Sequence, residues 1–181
     1  MEPDFHLQYN EPPLALLPEV DADRIVWPLR CAPGEGAVRV IRGIKCETLE
    51  ALFNEVGAAL QFPDYFGENW DALDECITDL EWMPAGWYLV HVDQVECILP
   101  EEPADFRIFL RILLDAGRAW HDPDSRDADP ASVGPSVPFN VILSGSEAGL
   151  ARARAVLDEW THAEPVPADS PGSSPDRQDA A

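Results

Sequence analysis

The chain has 181 residues, 46% of them hydrophobic, which suits a single domain with a real core. Its formal net charge is −22, from 34 acidic and 12 basic side chains. Such a charge argues against nucleic-acid and anionic-membrane binding and favours a basic partner, met quickly and in a salt-sensitive way.

The acids are unevenly placed. Fifteen of them lie between Lys45 and Arg107, where there is no lysine or arginine, and they are interleaved with Trp, Phe, Leu and Val. That is a folded acidic block rather than an acidic tail. General solubility explains a uniformly acidic surface, but not this crowding into one segment. The N-terminal residues are acidic and lack the apolar stretch of a signal peptide, and no apolar run approaches the ~20 residues that span a bilayer. A cytoplasmic protein is expected. Cys31, Cys46, Cys76 and Cys97 show no C-x-x-C spacing and each lies in or near an apolar run, so free, buried thiols are expected. The four histidines are scattered, which argues against a zinc site.

Residues 1–35 are rich in proline and weakly patterned, and read as an arm laid on the domain. Within them, residues 24–29 suggest a short strand, confined by Pro28 to an edge. Residues 37–41 alternate and are β-branched, as a strand requires. Thr48 caps a predicted helix running to about Gln61, with Leu49, Leu52, Phe53, Val56 and Leu60 on one face. Residues 62–66 form a loop broken by Pro63, and Gly67 leads into an acidic helix over 68–80. Residues 86–92 are nearly continuously apolar, the pattern of a strand buried on both faces in a parallel sheet. A second strong helix is predicted over 105–120, then a loop over 121–138, a strand over 139–143, and a further helix over 147–160. Residues 161–181 are rich in Pro, Ser, Asp and Ala and are expected to be disordered.

Strands separated by helices predict an α/β fold with a small parallel sheet of about three strands. The expected organisation is an arm over 1–35, a domain over 36–145, an additional helix over 146–160 and a tail over 161–181.

The acidic helix is the most informative element. From Asp64 to Glu81 there are seven acids and no lysine or arginine. At 100° per residue, Trp70, Leu73, Cys76, Ile77 and Leu80 fall on one face, and Asp71, Asp74, Glu75, Thr78 and Asp79 on the other. Asp71 and Glu75, four apart, stand side by side, and like charges at that spacing cost a few tenths of a kcal/mol. Asp79 also sits at the unfavourable end of the helix dipole. A face that is mildly destabilising in isolation suggests use by a partner.

The run Phe62-Pro-Asp-Tyr-Phe-Gly-Glu-Asn-Trp-Asp-Ala-Leu-Asp-Glu-Cys resembles the signature of the barstar family, the intracellular inhibitors of barnase-type ribonucleases. The likeness extends from about Val38 to Gly145. It implies a barstar-like fold with no catalytic role, no cofactor and no metal, and a basic ribonuclease or related toxin as partner. It further implies a monomer that forms a one-to-one complex, with carboxylates standing where RNA phosphates would lie. Carried over by position, Tyr65 is the loop aromatic that packs on a catalytic histidine, with Phe66 beside it. Gly67 shapes the loop and Asn69 braces it. Asp71 is the first inhibitory carboxylate, Glu75 the deepest-reaching one, and Asp115 a further carboxylate from the helix before the last strand. This sequence departs from the prototype in three ways: Glu75 replaces an aspartate, Asp74 a tryptophan, and Asp79-Leu80 a glycine and tryptophan. Its face is therefore more acidic and less aromatic.

Other classes of function fit the sequence less well. A metal-dependent hydrolase using Asp71, Asp74 and Glu75 lacks a nearby histidine and a general base. Phosphate-cradling glycine motifs are absent. An immunity or adaptor protein of the same fold, binding a non-ribonuclease toxin or another basic protein, is the alternative.

Overall fold

The computed structural model describes residues 5–31, 34–122 and 136–162. Its elements are β1 (Leu14–Pro18), α1 (Glu19–Cys31), β2 (Gly36–Arg42), α2 (Leu49–Leu60), α3 (Trp70–Asp79), β3 (Trp87–Asp93), α4 (Pro103–His121), β4 (Phe139–Gly145) and α5 (Glu147–His162). The four strands form one parallel sheet in the order β1-β4-β3-β2. The two central strands, β3 and β4, carry the continuous apolar runs because both faces of the sheet are covered. Tyr88, Val90, Val92, Phe139, Val141 and Leu143 pack into the main core with residues of α2, α3, α4 and α5. Leu89 and Ile142 face the other way, onto Ala22 and Val26 of α1.

The sheet has four strands rather than about three. The added strand, β1, lies at the edge and pairs with β4 from Leu14↔Val141 to Pro18↔Gly145. Its flanking prolines hid it in the sequence. At an edge they are tolerated, because the missing N–H groups need not face a neighbouring strand. Pro13 still contributes its carbonyl, which accepts from the Val141 amide at 2.8 Å. Residues 24–29 are helical rather than extended, with Pro28 inside α1. Ala22, Ile25, Val26 and Leu29 recur at helical spacing and cover the sheet, and this stripe outweighs the proline signal. Trp27 is consequently turned outward, 64% exposed. All four thiols are free. Cys46 and Cys76 are buried, whereas Cys97 is half-buried and Cys31, the last residue of α1, is exposed. The helix over 147–160 runs to His162, while the predicted tail falls, from residue 163 on, outside the described residues. No helix among the described residues is long and apolar enough to cross a membrane.

One ion pair ties the sheet to α2. Arg42, the last residue of β2, donates from Nε and Nη2 to the two oxygens of Glu55, each at 2.7 Å, and its backbone amide adds a third bond at 3.1 Å. Glu55 is buried, and these bonds, Arg42's side chain first, hold its carboxyl below the ordinary range. A lowered folded pKa gives stability that is present above the unfolded pKa and lost as pH falls through the folded one. Arg42→Ala is therefore expected to destabilise the protein clearly at pH 7, with the gap to wild type narrowing at pH 3, as read from urea midpoints at both pH values.

Candidate functional site

The site begins where α2 stops. Gln61 takes a left-handed conformation (φ 55°) and closes the helix through its amide to the Gly57 carbonyl. The next rings turn inward. Phe62 packs edge-on against Phe66 and Trp82, with centroids 4.8 and 5.8 Å apart, and Phe66 reaches Phe53 at 6.2 Å. The Phe66 amide donates to the Pro63 carbonyl at 2.9 Å, tightening the turn. Anchored on both sides, the turn lifts Tyr65 into solvent, 69% exposed. Phe66, expected among the contact residues, thus also braces the loop from within.

Gly67 and Asn69 complete the turn. Asn69 donates from Nδ2 to the Gly67 carbonyl at 3.0 Å and accepts from the Ala72 amide at 2.9 Å, so it both fixes the loop and caps α3. A Cβ on residue 67 would stand 2.9 Å from that Nδ2, so a side chain there would push the Asn69 cap aside. Between them Glu68 adopts φ 48°, a left-handed conformation that costs a non-glycine residue roughly 1–2 kcal/mol. Strain of this kind persists where the surrounding structure over-determines it, as the aromatic anchors and the Asn69 cap do here.

α3 separates its faces as its periodicity requires. Leu73, Cys76, Ile77 and Leu80 are buried. Trp70 is half-buried, edge-on to Phe53 at 5.0 Å, and its Nε1 donates to Asp105 at 3.3 Å. Asp71, Asp74, Glu75 and Asp79 are exposed on the other side, and Thr78 is half-buried, its hydroxyl bonded to the carbonyls of Asp74 and Glu75 at 2.7 and 3.0 Å. Among the described residues, no lysine or arginine pairs with any of these four acids.

The electrostatics follow from that crowding. Although Asp74 is exposed, neighbouring groups partly desolvate its carboxyl, and this first, then the charges of Asp115 and Asp71, hold it above the ordinary range. The Tyr65 hydroxyl is raised as well, by partial desolvation and then by Asp79, the Cys76 thiol, Glu75 and Glu81. Tyr65 therefore shares one electrostatic neighbourhood with α3's outer face. Because the folded state disfavours the charged form of Asp74, Asp74→Asn is expected to raise the melting temperature at pH 7. The gain should shrink as pH falls through the raised pKa, where wild-type Asp74 is itself protonated. Thermal melts at pH 7 and pH 4 measure this.

Asp115 lies close enough to act on Asp74, so the structure brings α4 to the edge of the acidic face. Unlike the acids of α3, it is paired. Arg111 Nε stands 2.6 Å from one carboxylate oxygen and Arg118 3.7 Å from the other. Sequence reasoning passed over both arginines, although their i,i+4 and i,i+3 spacing to Asp115 was a readable signal. Among the described residues, no group of three or more His, Cys, Asp and Glu side chains is arranged to hold a metal ion.

Residues 36–133 match the family described as barstar, the barnase inhibitor. The chain belongs to the barstar family. No curated protein matches it. The barstar match runs from β2 through α4, and so contains the Tyr65 turn, the whole of α3 and Asp115. β1, α1, β4 and α5 lie outside it, although β4 is a central strand of the sheet.

Proposed function

We propose that this barstar-family protein is an inhibitor of a basic secreted ribonuclease, acting in the cytoplasm of the producing cell and binding its target one-to-one. The observation that carries this reading is the outer face of α3, where Asp71, Asp74, Glu75 and Asp79 are exposed without a basic partner among the described residues, beside the exposed ring of Tyr65. Carboxylates so placed suit the arginines, lysines and histidines that hold RNA phosphates in a ribonuclease cleft. Charge-assisted hydrogen bonds formed there, away from water, are strong, and the net charge of −22 speeds the encounter. Tyr65 supplies the aromatic surface that complements a protonated or neutral imidazole. An interface of standard size, roughly 800 Å² per partner, is enough for such a plug.

The test is an RNA-cleavage assay with a basic ribonuclease recovered at low salt from the secreted proteins of the source organism. Inhibition saturating at one equivalent supports the reading, and cleavage unaffected by excess protein rejects it. A second reading, immunity to a non-ribonuclease toxin or an adaptor role, is favoured by the extra acids Asp74 and Asp79 and by the pairing of Asp115. Recovery of a tightly bound partner that cleaves no RNA would establish it instead.

A further inference from the structure

A concave site lies beside the acidic face, on the α2 side of the aromatic turn. Phe53 and Gly57 of α2, with Phe62 and Phe66 of the turn, enclose a pocket of about 410 Å³ that Asp64 and Glu68 also line. That volume falls within the roughly 300–1,000 Å³ of small-ligand sites. The pocket is continuous with the candidate face, because the turn that lines it is the one that lifts Tyr65 into solvent.

Its walls are aromatic. Phe53 is buried and Phe62 and Phe66 are half-buried, so their rings are fixed by one another yet partly open to a ligand. Gly57 leaves the Phe66 ring uncovered. A Cβ there would stand 3.4 Å from that ring, an ordinary contact that the fold accommodates. Glycine is unfavourable inside a helix relative to alanine, so packing alone does not account for it. The two acids are exposed, and neither forms an ion pair with a lysine or arginine among the described residues. Arg39 reaches Gln61, another lining residue, at 3.4 Å, but bonds neither acid. Even with Arg39 included, two acids stand against one base and the pocket is net negative.

Rings and carboxylates in one pocket suit a guanidinium. That group is planar and weakly hydrated, stacks on aromatic faces and bonds carboxylates through a fork of N–H donors. An ammonium group is more strongly hydrated and has no flat face, an anion is repelled, and an apolar side chain gains nothing from the acids. We propose that this pocket receives an arginine side chain of the basic partner, as a second anchor beside the carboxylates of α3. The proposal rests on the reading that a basic protein covers the Tyr65 turn.

N-acetyl-arginine amide, titrated into the full-length protein and followed by NMR, tests the pocket alone. Intermolecular NOEs from its side chain to the rings of Phe62 and Phe66 are expected, with weaker binding of the lysine and leucine analogues. Gly57→Leu, which fills the pocket without changing charge, should remove those NOEs. It should also weaken binding of the recovered partner about 10-fold, the scale of one desolvated cation–π and ion-pair anchor. Asp64→Asn/Glu68→Gln should raise the dissociation constant of the arginine probe about 5-fold, the scale of two partly exposed ion pairs. Glu47→Gln/Glu50→Gln removes the same charge outside the pocket and should change it less than about 2-fold, because screening weakens distant charges. This control separates a local contact from the general attraction of a chain of net charge −22 for any cation. If Gly57→Leu alters the amide spectrum beyond the pocket, the two charge variants decide. Absence of the ring NOEs, equal binding of the lysine or leucine analogue, equal effects of the two charge variants, or unchanged partner binding by a folded Gly57→Leu overturns the proposal. The reading of α3 is tested separately, by inhibition after removal of Asp71 and Glu75, so that either idea can fail alone.

Discussion

Asp71→Ala combined with Glu75→Ala is expected to abolish inhibition while leaving the domain folded. Both side chains are exposed, and neither pairs with a lysine or arginine among the described residues, so their loss removes no internal contact of that kind. They stand four residues apart on α3, where like charges repel, and the double change relieves that repulsion by a few tenths of a kcal/mol. Stability should therefore be unchanged or slightly raised. Binding should respond very differently. Removing one partner of a buried, hydrogen-bonded charge pair at an interface costs about 2–5 kcal/mol, largely because the opposing charge is left without its mate. Taking the lower figure for each residue gives a loss of about 4 kcal/mol, roughly 10³-fold in affinity. The measurements are an inhibition titration against the recovered ribonuclease and an unfolding curve of the variant. A folded double variant that still inhibits fully would place the inhibitory surface elsewhere. The wild-type complex should weaken with added salt chiefly through slower association, because screening acts on the approach more than on desolvated contacts.

The two faces of α3 were legible because helical periodicity is a strong signal in a short segment with both apolar and charged residues. Leu73, Cys76, Ile77 and Leu80 are buried where spacing put them. The strands β2, β3 and β4 were legible for the same kind of reason, as β-branched or continuously apolar runs between helices. β1 was not, because Leu14-Ala-Leu-Leu-Pro is short and lies among prolines, and only its pairing with β4 makes it a strand. Residues 24–29 read as a strand because Ile25-Val26-Trp27 is a β-prone run and Pro28 argues against a helix, whereas the Ala22, Ile25, Val26, Leu29 stripe that decides for α1 begins outside that window. In the candidate site, a bracing role for Asn69 was implied by the family resemblance, whereas its cap on the Ala72 amide was not read from the sequence. Nor was the left-handed Glu68, because no residue type at that position announces it. The pairing of Asp115 with Arg111 and Arg118 was readable from its i,i+4 and i,i+3 spacing. The contacts that α5 and Glu11 make with those arginines were not, because they join residues far apart in the chain.

Arg152→Ala is expected to have the largest effect on stability of any single exposed-to-half-buried substitution proposed for this protein, because Arg152 is the clamp between α5 and the rest of the fold. Its guanidinium donates to the Ile98 and Leu99 carbonyls, both at 2.8 Å, and lies 3.6 Å from the Phe106 ring centroid. Burial lowers its pKa from the usual guanidinium value, as expected for a cation drawn partly out of water. The turn that it grips is itself strained. Leu99 is left-handed at φ 44°, and its fully buried side chain gives it no freedom to relax. Truncation removes two hydrogen bonds from a charged donor, about 1.5–3 kcal/mol each when net, and a partly desolvated cation–π contact worth about 1–2 kcal/mol. These terms share one side chain and do not add fully, so a loss of about 3–5 kcal/mol is expected. Since domains of this size are stable by only about 5–15 kcal/mol, the variant should be close to unfolding in mild denaturant. Urea unfolding with an unchanged m-value would attribute the loss to stability. If α5 were a detachable appendage, Arg152→Ala would shift the midpoint little, and the helix would melt separately from the sheet. The packing of Ala153 and Val156 into the main core argues for one cooperative transition. The same helix carries Trp160, which steadies Arg111 beside Asp115. The ion pairs of α4 that α5 steadies should therefore be lost in the same transition as the sheet, not before it.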